Sequence, residues 1–98
     1  MNESDFQYDV IKEIEAAYPG VIVLKNDPRY LQGFPDWTIL YKKNWAALEI
    51  KISRNARKQA NQKFWVHTAN SMSYSSFLFP ENRLEVLNEL QYALRSDR

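Results

Sequence analysis

The residues whose types and spacing suit chemistry are two carboxylates and a lysine. Asp36 ends a Gly-Phe-Pro-Asp segment, and Glu49-Ile50-Lys51 follows, with Glu49 thirteen residues after that aspartate. Carboxylate oxygens are preferred ligands of Mg²⁺, so Asp36 and Glu49 are candidate metal ligands, and the Ile50 carbonyl is a further one. A cation held there would polarise a scissile phosphate and lower the pKa of a bound water. Lys51 would orient or deprotonate that water, or neutralise charge in the transition state.

A short apolar hairpin must position these side chains. Segments 37–41 and 45–52 are rich in aromatic and aliphatic residues, which predicts two strands, and the polar residues 42–44 predict the turn between them. Because side chains alternate along a strand, the glutamate and the lysine of the second strand point to one face, and the isoleucine between them points to the core. A suitable register would bring Asp36 to the same place.

The pair Pro35-Asp36, together with Glu49-x-Lys51, resembles the motif of the PD-(D/E)XK nuclease superfamily. The glycine two residues before the proline and the short chain are most similar to the VRR-NUC branch, and the resemblance covers about residues 3–90. It implies a restriction-endonuclease-like core and a metal-dependent endodeoxyribonuclease that uses Mg²⁺ or Mn²⁺. It also implies branched DNA, such as four-way (Holliday) junctions, as the substrate. The predicted helices before and after the hairpin support the short motif.

The first predicted helix adds an independent observation. Its apolar residues have helical spacing over 4–17, and Glu3 and Gln7 fall near the middle of the apolar stripe. Burying an unpaired carboxylate is costly, so an acid there needs a partner or a cation. The resemblance implies a Glu-x-x-apolar-Gln pattern, which Glu3 to Gln7 fits, so Glu3 would complete or support the site, with Glu13 as the alternative acid. The other interpretation is an ordinary helix start, where the dipole favours acids.

The segment after the hairpin is basic. Between residues 51 and 80 there are five Lys and Arg residues and no Asp or Glu, although the net charge of the chain is only +1. Such a stretch beside a metal site suits contact with a phosphate backbone, and the alternative is an ordinary solvated face. The residues predicted to bind nucleic acid are Gln7, Arg29, Arg54, Arg57, Lys58 and Lys63.

A second helix is predicted within 56–72. The resemblance implies a glutamine shortly after the lysine, and Gln62 is the better match, with Gln59 second. The amide of Gln62 would contact a phosphate or the attacking water, unless it is simply a solvated helix residue. The residues expected to face the core are Ala60, Phe64, Trp65 and Thr68 or Ala69.

The remaining segments predict a scaffold. Strands are expected at 21–24 and 75–79, and Pro80 would start a last helix whose apolar stripe is Leu84, Leu87, Leu90 and Leu94. The order is therefore helix, strand, two hairpin strands, helix, strand, helix. This predicts an α/β (α+β) fold, with a mixed central sheet flanked by helices in one domain over 1–98.

Composition excludes several other classes of site. The chain has no cysteine, which excludes disulfides, Cys-type zinc sites and thiol catalysis and fits a reducing compartment. The single histidine, His67, is a poor basis for a triad or a histidine metal cluster. No apolar run approaches a membrane span and no signal peptide precedes the body, so we expect no membrane association and a cytoplasmic location in a bacterial or phage-infected cell.

Partners follow from the size of the chain. One small domain offers one active site, so cutting both strands of DNA would favour a homodimer. Because fold does not fix function, the alternative is a non-catalytic or partner-dependent nucleic-acid-binding module on the same fold.

Overall fold

Residues 1–96, which the computed structural model describes, form a mixed four-stranded sheet with three α-helices packed on it. The elements in chain order are α1 (Glu3–Ala17), β1 (Ile22–Lys25), β2 (Trp37–Tyr41), β3 (Asn44–Ile50), α2 (Ala60–Met72), β4 (Tyr74–Leu78), a 3₁₀ turn (Pro80–Asn82) and α3 (Arg83–Arg95). The strand order is β1-β2-β3-β4, antiparallel except for the parallel pair β3–β4. The predicted element order and mixed sheet are confirmed. The last two residues of the predicted domain 1–98 lie outside the described range.

The main core lies between one face of the sheet and the helices α1 and α3. Alternate residues of the hairpin face it, which are Trp37, Ile39, Tyr41, Ala46, Leu48 and Ile50. Within residues 1–96, α2 contributes nothing to this cluster and instead contacts β3 and β4. The intervening residues of the hairpin, Glu49 among them, therefore point to the opposite face, on which α2 packs.

Three details differ from the sequence-based expectations. Asn44 belongs to β3 rather than to the turn, because its buried Nδ2 donates to the carbonyls of Leu94 and Ser96, both at 2.8 Å, at the end of α3. Leu84 is 85% exposed. The 3₁₀ turn ends before α3 begins, so the buried stripe of that helix runs through Val86, with Leu90 and Leu94 following at four-residue spacing. At about 100° per residue, Leu84 lies about 120° around the helix from Leu90, so the predicted three-residue spacing drifted off the buried face.

The second helix runs from Ala60 to Met72, inside its predicted range of 56–72. It begins at Ala60, and the residues before it form a loop in which Lys58 Nζ donates to the carbonyl of Arg54 at 2.6 Å. Only Ala69 of α2 is fully buried, whereas Ala60 and Phe64 are exposed. The expectation that these two residues face the core is wrong, because α2 meets the sheet through a narrow strip of its surface.

Gly33 holds the loop before β2 against the start of α2. Its φ is +88°, and a Cβ built on it would lie 2.6 Å from Cγ and 2.9 Å from Cβ of Asn61. The Asn61 Cβ is fixed to the helix backbone, so rotation of the side chain cannot relieve the overlap. Gly20 shares the φ of +88° but has no atom within 4 Å of the same position.

We expect Gly33→Ala to destabilise the protein more than Gly20→Ala. Both variants carry the strain of a left-handed backbone, about 1–2 kcal/mol. Gly33→Ala must also displace the start of α2, which adds about 1–3 kcal/mol. Denaturant unfolding of the two variants measures the difference. Equal losses of unfolding free energy would mean that the loop and α2 are not packed together in this way.

Candidate active site

Asp36 and Glu49 face each other across the β2–β3 hairpin. Trp37 pairs with Leu48, so extending the antiparallel register by one residue sets Asp36 opposite Glu49. The side chain of Glu49 is 2% exposed, that of Asp36 is 28% exposed, and Lys51 Nζ lies 3.8 Å from Glu49 Oε2. The hairpin therefore brings together the three side chains that the sequence singled out, on the face opposite the main core.

The environment of the Glu49 carboxyl disfavours its ionised form. Burial is the largest cause that raises its pKa to about 8, the neighbouring Asp36 carboxylate raises it further, and Lys51 opposes both. Its Oε1 atom has no hydrogen-bond partner within residues 1–96. A buried acid of this kind favours a bound proton or a bound cation, which is the electrostatic signature of many functional sites.

Lys25, which sequence reasoning missed, adds a second ammonium to the site. It ends β1 opposite Trp37, and its Nζ lies 4.4 Å from the centre of that ring. The same Nζ is 3.7 Å from Asp36 Oδ2 and donates to Gln7 Oε1 at 2.9 Å. The predicted strand ended one residue before Lys25. Its place beside Asp36 depends on the β1–β2 register, for which the sequence carried no signal.

Asn26 fixes the backbone that carries Asp36. Its N–H donates to the carbonyl of Asp36 at 2.7 Å. Its Nδ2 donates at 2.8 Å to both the Pro35 carbonyl and the Thr38 hydroxyl. The only sequence signal was a polar residue directly after a strand. These bonds hold the Pro-Asp segment in line with β2.

Two side chains of α1 bind the end of β3 through its backbone. Gln7 Nε2 donates to the Ile50 carbonyl, and Glu3 Oε1 accepts the Ile52 N–H, each at 2.9 Å. Gln7 is buried, as its place on the apolar stripe predicted. The Ile50 carbonyl, a predicted metal ligand, thus already accepts one hydrogen bond and keeps its second lone pair. Within residues 1–96 no group of three or more His, Cys, Asp or Glu is placed to hold a metal, so Glu3 does not join the carboxylate pair.

No protein family, no curated protein and no solved structure matches this chain. Function is therefore inferred from the geometry of the site. In the part of the chain that is described, no helix is both long enough and apolar enough to cross a membrane.

Gln62 and Glu13 are engaged elsewhere. Gln62 Oε1 accepts the Gln59 N–H at 3.0 Å and caps the first turn of α2, which is a structural role for both glutamines. Glu13 lies 2.6 Å from the guanidinium of Arg83, which also binds Asp9 at 2.8 Å. Glu13 is therefore held by α3 rather than by the hairpin.

The predicted nucleic-acid-binding residues fall into different environments. Arg54 and Lys58 lie over the ring of Phe79, at 5.8 and 4.7 Å from its centre. Arg57 and Lys63 are exposed. The guanidinium of Arg29 lies 2.9 Å from Asp27, and its hydrogen bonds hold the pKa of that carboxyl below its usual range.

We expect Gln7→Leu to lower the free energy of unfolding by about 2–3 kcal/mol. The substitution places an apolar side chain of similar size on the stripe. It leaves the buried Ile50 carbonyl and Trp37 Nε1 without their present hydrogen-bond partner, which the latter reaches at 3.2 Å. Denaturant unfolding measures the loss. Gln91→Leu, on the exposed face of α3, is the matched control and should change stability little. Equal effects would contradict the role of Gln7.

Proposed function

We propose that this protein is a metal-dependent endodeoxyribonuclease on a restriction-endonuclease-like, VRR-NUC-type fold, and that it cuts branched DNA such as four-way junctions. The observation that carries the proposal is the meeting of Asp36, Glu49 and Lys51 at one end of a hairpin. Structural carboxylates are rarely buried beside one another, because each raises the energy of the other. Two such acids can hold a divalent cation and a lysine can offset charge on a phosphate, and both contributions promote phosphodiester hydrolysis.

The side chains present fit a divalent cation. Glu49 offers a buried oxygen without a partner, and Asp36 stands opposite with part of its carboxylate open to solvent. These two residues would hold Mg²⁺ or Mn²⁺, with the Ile50 carbonyl as a further ligand. When bound, the cation would activate a water molecule and stabilise negative charge on the phosphate.

The two lysines have separable tasks. Lys51, largely enclosed and 3.8 Å from Glu49, would direct its ammonium at the attacked phosphate, where it orients the water or offsets the charge that develops. Lys25, nearer to solvent, lies 3.7 Å from Asp36 Oδ2 and would hold that side chain in place beside Glu49. Gln7 and Glu3 act as positioning residues, because they hold the backbone on both sides of Lys51.

DNA would approach the face on which the hairpin acids and the loop after β3 lie together. That loop and α2 carry positive charge without a carboxylate between residues 52 and 79. Phosphate contacts by Arg54, Arg57, Lys58 and Lys63 would make affinity fall steeply with salt. We propose a homodimer, since one site per chain must otherwise cut the two strands of a junction in separate encounters.

The test is cleavage of a labelled four-way junction beside matched linear duplex and single strand, with Mg²⁺, Mn²⁺ or a chelator. Asp36→Ala and Lys51→Ala should each abolish the cutting. Glu15→Ala and Lys12→Ala are the matched controls, because they remove an exposed acid and an exposed lysine of α1. Both variants should cut like the wild type. Equal cutting of linear duplex would contradict the preference for junctions but would still support nuclease activity.

A non-catalytic or partner-dependent binding module is the second candidate, and specific contacts favour it. Gln7 occupies one lone pair of the Ile50 carbonyl, and Glu3 and Gln62 are committed to backbone bonds. A folded wild type that cuts no DNA with any cation, yet binds DNA in a salt-dependent manner, would establish this candidate in place of the nuclease.

A further inference from the structure

An exposed row of apolar side chains borders the candidate active site. Tyr30 is 94% exposed and Phe64 is 58% exposed. The ring of Trp65 lies 5.0 Å from that of Phe64 and 6.0 Å from that of Phe34, measured between centroids. Leu31 completes the row, and these five residues are called the aromatic surface. The apolar packing expected for Trp65 thus takes place at the surface, against other aromatic rings.

The aromatic surface is continuous with the acids of the hairpin. Phe34 precedes Asp36 by two residues, and the Gly33–Asn61 approach sets this loop against α2. An open groove of about 650 Å³ runs along the loop side, lined among others by Leu24, Lys25, Tyr30, Leu31 and Phe34. Lys25 lines this groove, and its Nζ lies 3.7 Å from Asp36 Oδ2.

Charge around the aromatic surface suits an anionic ligand. Lys63 is exposed and directly precedes Phe64 on α2. Asp27, the one carboxylate among the described residues that line the groove, is paired with Arg29 at 2.9 Å. A polyanion would therefore meet the Lys25 ammonium in the groove and the exposed Lys63 next to Phe64, and the groove carboxylate of Asp27 is already paired.

We propose that the aromatic surface stacks DNA bases whose faces are exposed next to the phosphate at Asp36, as they are at an open branch point or in an unpaired segment. This rests on the proposed function and narrows it. Base faces are hidden in a matched duplex but exposed where pairing is interrupted, and stacking on aromatic rings tolerates every base. The surface would thus select DNA by structure and not by sequence.

The test compares two DNA ligands in chelator, where nothing is cut. One is a matched duplex, and the other is the same duplex with a short unpaired loop in one strand. Fluorescence anisotropy gives the two dissociation constants, and their ratio is the readout. Wild type should bind the looped DNA about tenfold more tightly, and Phe64→Ala and Tyr30→Ala should each move the ratio toward one. Tyr92→Ala, which removes an exposed tyrosine on α3, is the matched control and should leave the ratio unchanged.

Several outcomes of this experiment would contradict the inference. A wild-type ratio of one, or a ratio that both variants leave unchanged, would overturn the inference. If Phe64→Ala instead converts a dimer to a monomer in sedimentation and leaves the ratio intact, the surface covers a second copy of the chain and the inference is wrong. Failure to cut any DNA with metal would contradict the proposed nuclease activity, but a measured preference for looped DNA would still support the inference. Binding of neither DNA would overturn both.

Discussion

Replacement of Glu49 by glutamine is expected to abolish DNA cleavage and, in the same protein, to raise stability at pH 8 without metal. Glutamine keeps the shape of the side chain but cannot hold a cation by charge, so cleavage should fall by about 10³-fold or more. It also removes a carboxyl whose charged form is opposed by burial and by Asp36, the causes that raise its pKa to about 8. Junction cleavage with Mg²⁺ and thermal unfolding in chelator give the two readouts.

The combination distinguishes a functional acid from a structural one. Were Glu49 part of a stabilising ion pair with Lys51, its neutral replacement would lower the melting temperature, because a buried partner would lose its counter-charge. Glu15→Gln, an exposed acid on α1, controls for a general loss of one negative charge. Unchanged cleavage by Glu49→Gln would end the proposed role of Glu49.

The metal-free protein should lose stability as the pH rises from about 4.5 to about 8. In the unfolded chain the carboxyl of Glu49 ionises near pH 4.3, whereas its folded pKa is about 8. The folded state therefore binds more protons over this window, and the free energy of unfolding falls with pH. The stabilising contribution is full below pH 4.3 and is lost as the pH passes 8. For this group the loss is on the order of 5 kcal/mol.

Denaturant unfolding at pH 5, 6, 7 and 8, with chelator and with Mg²⁺, measures this dependence. The difference between the wild-type and Glu49→Gln curves gives the contribution of Glu49 together with its coupling to Asp36 and Lys51. Mg²⁺ should restore stability at pH 8 and change little at pH 5, because the cation and the proton compete for one carboxylate. Parallel pH curves for wild type and Glu49→Gln would contradict the assignment of the titration to Glu49.

Local periodicity predicted much of the scaffold. The β2 strand at 37–41 and the helix over 4–17 were expected within one residue of their observed bounds. Strand alternation put Glu49 and Lys51 on one face and Ile50 in the core, and the helical repeat put Gln7 inward. These predictions succeeded because side-chain direction repeats at a fixed interval along a strand or a helix, so it depends only on local backbone geometry.

The contacts of each side chain with distant residues depended on the tertiary structure. Lys25 reaches Asp36 only because β1 pairs with β2 in one particular register. Gln62 turns to the backbone of its own helix because α2 begins at Ala60, which makes Gln62 the third helical residue. Phe64 stays in solvent because α2 meets the sheet through a narrow strip. None of these contacts follows from the strand or helix periodicity of the sequence.

The sequence by itself determined which residue types stand on the hairpin and which faces they take. Only the tertiary structure decided that Asp36 meets Glu49, that Lys25 joins them, and that aromatic rings border the pair. The physical reason is that side-chain direction is set by local backbone geometry. Strand register and helix docking, in contrast, depend on burying apolar surface between segments that are distant in the chain.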